Sequence, residues 1–145
     1  MRSRLLASGT EKTFALVFTT GDEVMSGLTG FAKETGLSGA RFTAIGAFSD
    51  AVLGYWDVDA KRYDEIPVKE QVEVLALTGD VALEDGEPKV HAHVVLGTRD
   101  GNARGGHLLE AHVRPTLEVM VEEAPAHLRK RLDPQTGLAL IDPSL

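Results

Sequence analysis

Three of the chain's five histidines, His91, His93 and His107, fall close together around one expected hairpin. Imidazole is a common ligand for divalent metals. Side chains at i and i+2 of a strand share one face. His91 and His93 lie in the strand-like run Val90–Thr98, so their Cα atoms should sit about 6.6 Å apart with parallel side chains. Two rings so placed can converge on one ion at roughly 2.0–2.1 Å from each nitrogen, the distance zinc requires. The expected metal is zinc. Cysteine, the other usual zinc ligand, is absent from the chain.

His107 joins the pair only under one condition. The strands carrying His93 and His107 should run antiparallel. If paired positions sum to an even number, as with Val95 opposite His107, all three imidazoles share a face. If the sum is odd, as in a strict Asp100–Gly101 turn, His107 faces away. A closed structural zinc site needs four protein ligands, whereas three leave a place for water or substrate. That is the arrangement of catalytic zinc, in which the metal lowers the pKa of a bound water. Glu118 is a candidate to hydrogen-bond a ligand histidine and hold its tautomer. His112, five positions after His107, should face the other way along a regular strand. His127 is expected on a late helix, away from the site.

Other possible sites are poorer. The stretch Gly101–Gly106 is glycine-rich but opens no expected helix, so it does not suit a phosphate loop. None of the serines lies in a nucleophile-elbow context. Tyr55 and Trp56 are expected to pack rather than to stack on a ligand. Arg129, Lys130 and Arg131 form the densest basic cluster, expected on a solvated helix face. The chain's 145 residues carry a net charge of −7 and a pI near 5.2, a balance that argues against living on DNA phosphates. No apolar run approaches the roughly 20 residues that span a bilayer. The first residues hold no signal-peptide pattern, and the lack of cysteine suits a reducing compartment. A cytoplasmic protein is expected.

The elements that would position the histidines follow from hydrophobic spacing. Thr13–Thr19 is a buried strand. A helix follows, with Val24, Leu28, Phe31 and Ala32 on one face, Asp22 as N-cap and Gly36 as the stop. Strands are expected at Ala40–Phe48, with a bulge or close approach at Gly46, and at Ala51–Val58. Tyr63–Val68 should be a short edge strand containing Pro67, followed by Val72–Leu77 and Val81–Leu83. Asp85–Gly86 should turn the chain into Val90–Thr98. Thr116–Val121 is a further strand, Pro125–Leu132 a short helix and Leu138–Ile141 a last strand. A few loose residues are expected at each terminus. Most links between strands are too short for parallel crossovers. The expected fold is α+β, a large mostly antiparallel sheet with one main helix after the first strand and a short late helix, in one domain over 1–145.

The run EVLALTGD from Glu73 to Asp80, PKVHAHVVL from Pro88 to Leu96, Asp100–Gly101 and GGHLL from Gly105 to Leu109 resembles the PPC domain (plants and prokaryotes conserved). Ala44–Phe48 and Thr116–Val119 fit the same pattern, so the likeness spans about Thr13 to Val121. The resemblance implies an α+β homotrimer in which, for stand-alone prokaryotic members, the histidines matching His91, His93 and His107 bind metal near subunit contacts. Plant members join this domain to AT-hooks that bind the minor groove, but no Arg-Gly-Arg-Pro core occurs here. Three functions follow as expectations: a zinc protein acting on or sensing a small molecule, a DNA-binding regulator, or an oligomeric interaction module without catalysis.

Overall fold

Apolar residues alternate along β2 (Lys12–Thr19) and bury Phe14, Leu16 and Phe18 on one face. The same alternation builds most of the molecule. The computed structural model describes residues 1–9 and 11–145. In chain order the elements are β1 (Arg2–Ser8), β2, α1 (Val24–Thr35), β3 (Gly39–Asp57), β4 (Arg62–Val68), β5 (Val72–Glu84), β6 (Glu87–Gly97), β7 (Ala103–Glu123), β8 (Lys130–Leu132) and β9 (Ala139–Ile141). Seven strands form one sheet, ordered β1-β2-β7-β6-β5-β3-β4, and every neighbouring pair is antiparallel. An additional β3–β7 pairing closes a ring through β3, β5, β6 and β7. The fold is α+β with a large antiparallel sheet.

The core lies where α1 meets the sheet. Val24, Leu28, Phe31 and Ala32 of the helix join Phe18, Phe42, Phe48, Leu96, Val113 and Leu117 in one buried cluster. Phe14 meets Phe31 edge-on at 5.1 Å. Helix α1 is capped by Glu23 rather than by Asp22. The Glu23 carboxylate accepts from the N–H groups of Met25 at 2.9 Å and Ser26 at 2.7 Å. Asp22 instead accepts from the Thr19 N–H at 2.8 Å, closing the preceding turn. Gly36 ends the helix in the left-handed region, as expected.

Three further expectations are corrected. The N-terminal residues are not loose, because Arg2–Ser8 pairs with β2 as an edge strand. The two strands expected on either side of Ser49–Asp50 are one long strand, β3, bent by register shifts against β5 and β7. Gly46 marks one of these shifts. Its φ is 156°, and a Cβ there would stand 2.2 Å from the Thr116 carbonyl oxygen. The late helix does not form. Eight residues hold a helix poorly by themselves, and here the backbone has better partners. The Leu128 N–H donates to Ser38 O, and the Leu128 carbonyl accepts from the Leu83 N–H at 2.7 Å. The chain then turns through a small β8–β9 hairpin.

Glu23 and Asp50 help to hold α1 and β3 to β7. Glu23 also accepts from the Ala111 N–H at 3.3 Å. Asp50 of β3 lies directly opposite His112 of β7 and accepts from its Nδ1 at 2.9 Å. This hydrogen bond raises the His112 pKa above its ordinary 6.5. Bonds from Ser49 and then His112 lower that of Asp50.

Replacing Glu23 with Ala should cost about 2 kcal/mol in urea unfolding, since it removes a cap and orphans the Ala111 N–H. The His112–Asp50 pair has a pH signature. Its stabilisation is fully present below the unfolded histidine pKa of 6.5, and it fades as pH rises through the elevated folded value. His112→Gln should therefore cost less than about 1 kcal/mol near pH 6 and almost nothing at pH 9. An equal loss at both pH values would contradict a charged pair.

Candidate metal centre

Along β6, Ala92 and Val94 point into the core, so His91 and His93 project from the opposite face. The β6–β7 ladder pairs His93 with His107, Val94 with Gly106 and Val95 with Gly105. The paired positions sum to an even number, the case in which His107 shares the face of the other two. Residues 98–102 set this register. Thr98 N–H donates to Asn102 O at 2.9 Å, and Gly101 N–H to Thr98 O at 2.9 Å. Asp100 accepts from the Thr98 hydroxyl and from Asn102 Nδ2, the latter at 2.7 Å. The loop is thus too long for the strict turn that would have reversed His107.

One potential ligand atom from each ring lies within 4.8 Å of the others. Tetrahedral zinc would need these nitrogens about 3.4 Å apart, a contraction that small side-chain rotations supply. The His107 ring is held on both sides. Tyr63 stacks on it at 4.6 Å, and His91 stacks on it at 5.1 Å. Gly54 makes the first contact possible. It lies opposite His107 on β3, and a Cβ there would come within 2.7 Å of the Tyr63 ring.

The electrostatics favour neutral imidazoles, the form that ligates metal. Burial, then the neighbouring His91 and His93, lower the His107 pKa to about 4. Burial and then His91 lower that of His93. His107 Nδ1 is buried without a hydrogen-bond partner. Such an orphan is costly, and a bound cation would satisfy it. Three converging imidazoles, with His93 and His107 held toward the neutral form and one nitrogen of His107 orphaned, fit zinc.

Asp80 is the carboxylate beside the triad. It sits opposite His91 on β5, with Oδ2 3.4 Å from His91 Nδ1. Its other oxygen, Oδ1, is 3.0 Å from the ammonium of Lys130, whose side chain is only 7% exposed. That contact has ion-pair distance but not hydrogen-bond geometry, so Oδ1 counts as an orphan too. Burial works to raise the Asp80 pKa, yet His91 and Lys130 together hold it below the ordinary carboxylate value.

Glu118 does not take the role expected of it. It projects from the exposed side of β7 opposite Ile45 and Val17, in a depression shared with Glu73 and Thr116. Asp80 was legible in principle. A two-residue Asp85–Gly86 turn, extended back along both strands, puts position 80 opposite position 91. The remaining candidates disperse. His112 is engaged by Asp50, and His127 Nδ1 by the Ser38 hydroxyl. Trp56 packs on Tyr63 and donates to Thr136 O at 3.1 Å, but Tyr55 is exposed rather than packed. Lys130 is not on a solvated helix face. It lies in β8, against Asp80.

Known proteins carry the same fold. A metal-containing protein from Archaeoglobus fulgidus is 37% identical, with a TM-score of 0.83 over 90% of this chain and 92% of that one. A plant- and prokaryote-conserved (PPC) protein from Pyrococcus horikoshii is 32% identical, with a TM-score of 0.84 over 97% and 94%. A protein from Bacteroides thetaiotaomicron described as a putative DNA binding protein is 26% identical, with a TM-score of 0.88 over 99% of both chains. No functionally curated protein matches. Residues 6–125 match the sequence model of the Plants and Prokaryotes Conserved (PCC) domain. With that match spanning most of its length, the chain belongs to the PCC domain family.

Proposed function

We propose that this protein is a zinc-binding homotrimer that holds a small molecule at the metal, with His91, His93 and His107 as ligands. The observation that carries the reading is the buried, unpartnered His107 Nδ1 within a triad of converging imidazoles. The metal-containing Archaeoglobus relative supports it. Asp80 replaces Glu118 as the residue that orients a ligand, through His91. Bound there, zinc would act as a Lewis acid toward an oxygen of the small molecule. Tyr63 and His91 fix the His107 ring by stacking on it.

The trimer has its own support. Ile45, Leu75, Val95 and Met120 are 63%, 55%, 42% and 42% exposed. Val95 and Met120 lie between buried neighbours on central strands, and Ile45 and Leu75 each follow a buried residue, Ala44 and Val74, so all four project from the face turned away from the core. An apolar face of this kind marks an association surface, and His93 shares it with Val95. Among the described residues no helix is long and apolar enough to cross a membrane. The absence of cysteine suits a reducing, cytoplasmic setting.

DNA association is a second reading, favoured by the description of the Bacteroides relative. The net charge of −7 opposes it. A gel shift at low salt decides, and no retardation there ends the DNA reading.

Purified protein should carry one zinc per chain by elemental analysis. His93→Ala and His107→Ala should each lose it, while Asp80→Asn should weaken zinc about 10–100-fold. Wild-type protein that takes up no zinc, yet stays trimeric, would leave the interaction-module reading in place instead. Light scattering should give three times the 15.6 kDa chain mass. Ile45→Asp with Leu75→Asp should shift that toward the monomer, and a monomeric wild type would refute the trimer.

A further inference from the structure

His91 and His107 of the triad open onto a cavity of about 400 Å³ whose far wall is the C-terminal hairpin. Leu138, Leu140 and Ile141 supply that wall, and Lys130, Tyr63 and His107 line the side toward the triad. The hairpin lies beyond residue 125, where the family match ends. It is fastened at several points. Lys130 pairs with Asp80, the Trp56 indole donates to Thr136 O, and Lys61 Nζ donates to Pro134 O at 2.6 Å. The wall is therefore a built part of the site.

We propose that this cavity binds a small monocarboxylate with a short apolar chain, its carboxylate at the triad and its chain against Leu138, Leu140 and Ile141. The inference rests on the metal reading above. Three neutral imidazoles around a divalent cation leave two positive charges in a partly buried site. Asp80 does not cancel them, because Lys130 already balances it. Uncompensated charge in a low-dielectric site is costly, so a ligand must bring negative charge. Lys130 adds an ammonium with donors to spare beyond its single carboxylate partner. The apolar wall rejects a fully polar anion. Asp80 and Glu84 line the cavity with Lys130 and Lys89, so its side-chain charges balance and the preference over a fully polar anion such as phosphate comes from the apolar wall. A monoanion with a hydrocarbon tail satisfies both walls. Each methylene buried against the hairpin should tighten binding roughly three- to fourfold.

The test uses full-length protein loaded with cobalt(II), whose visible absorption reports its ligands. Acetate, butyrate, butylamine and inorganic phosphate are titrated in turn. Butyrate should change the spectrum saturably, and at least about tenfold more tightly than acetate. Butylamine should do nothing, and phosphate should bind more weakly than butyrate. Leu140→Glu should abolish the advantage of butyrate over acetate while leaving cobalt uptake unchanged. Cobalt-loaded protein that ignores butyrate, binds phosphate as well, or shows no chain-length preference would overturn the carboxylate assignment and leave the metal site standing. Failure to take up cobalt or zinc would overturn both.

Discussion

The register between β6 and β7 is the constraint on which the site depends. Side chains on a strand have a period of two, so a slip by one position sends a residue to the opposite face. With His93 opposite His107, three imidazoles meet on one surface. A slip by one would carry His107 into the layer now held by Leu108 and expose a core leucine. The hydrophobic pattern of β7 and the Asp100-centred loop therefore specify the candidate metal centre together. Burial of Leu108 and convergence of the histidines are one structural event.

Around that ladder, the tertiary fold narrows the freedom of each ring. His107 is paired on both sides, with His93 on β6 and Gly54 on β3, because the β3–β7 pairing closes the ring of strands. Gly54 leaves room for Tyr63, and Tyr63 stacks on the imidazole. Burial at this junction keeps His107 neutral far below physiological pH. The same burial leaves Nδ1 without a protein hydrogen-bond partner.

Asp80 connects the centre to the rest of the molecule. One of its oxygens faces His91 and the other faces Lys130. A half-buried carboxylate relies on such partners to stay charged. His91 and the C-terminal hairpin thus share a single negative group. Loss of either partner changes the field felt by the other, so the candidate metal centre and the seating of the hairpin are coupled through one residue.

Much of this was determined by the sequence alone. The strand at Thr13–Thr19, the 3.6-residue spacing of α1 and the Asp85–Gly86 turn are local patterns, and local patterns survive without knowledge of neighbours. The i, i+2 placement of His91 and His93 on one face belongs to the same class. The family pattern in Glu73–Asp80 and Pro88–Leu109 was also legible, and it carried His107 with it. Tertiary structure decided what depends on pairing between distant segments. It chose the even register for His107, placed Asp80 beside His91 and sent Glu118 to another part of the sheet. It turned Arg2–Ser8 into an edge strand, since only β2 could satisfy that backbone. It also replaced the expected Pro125–Leu132 helix with an extended segment, because Leu83 and Ser38 offered partners that a short helix could not match. A residue's face can be read from its own strand, but its partners are fixed only when another strand arrives beside it.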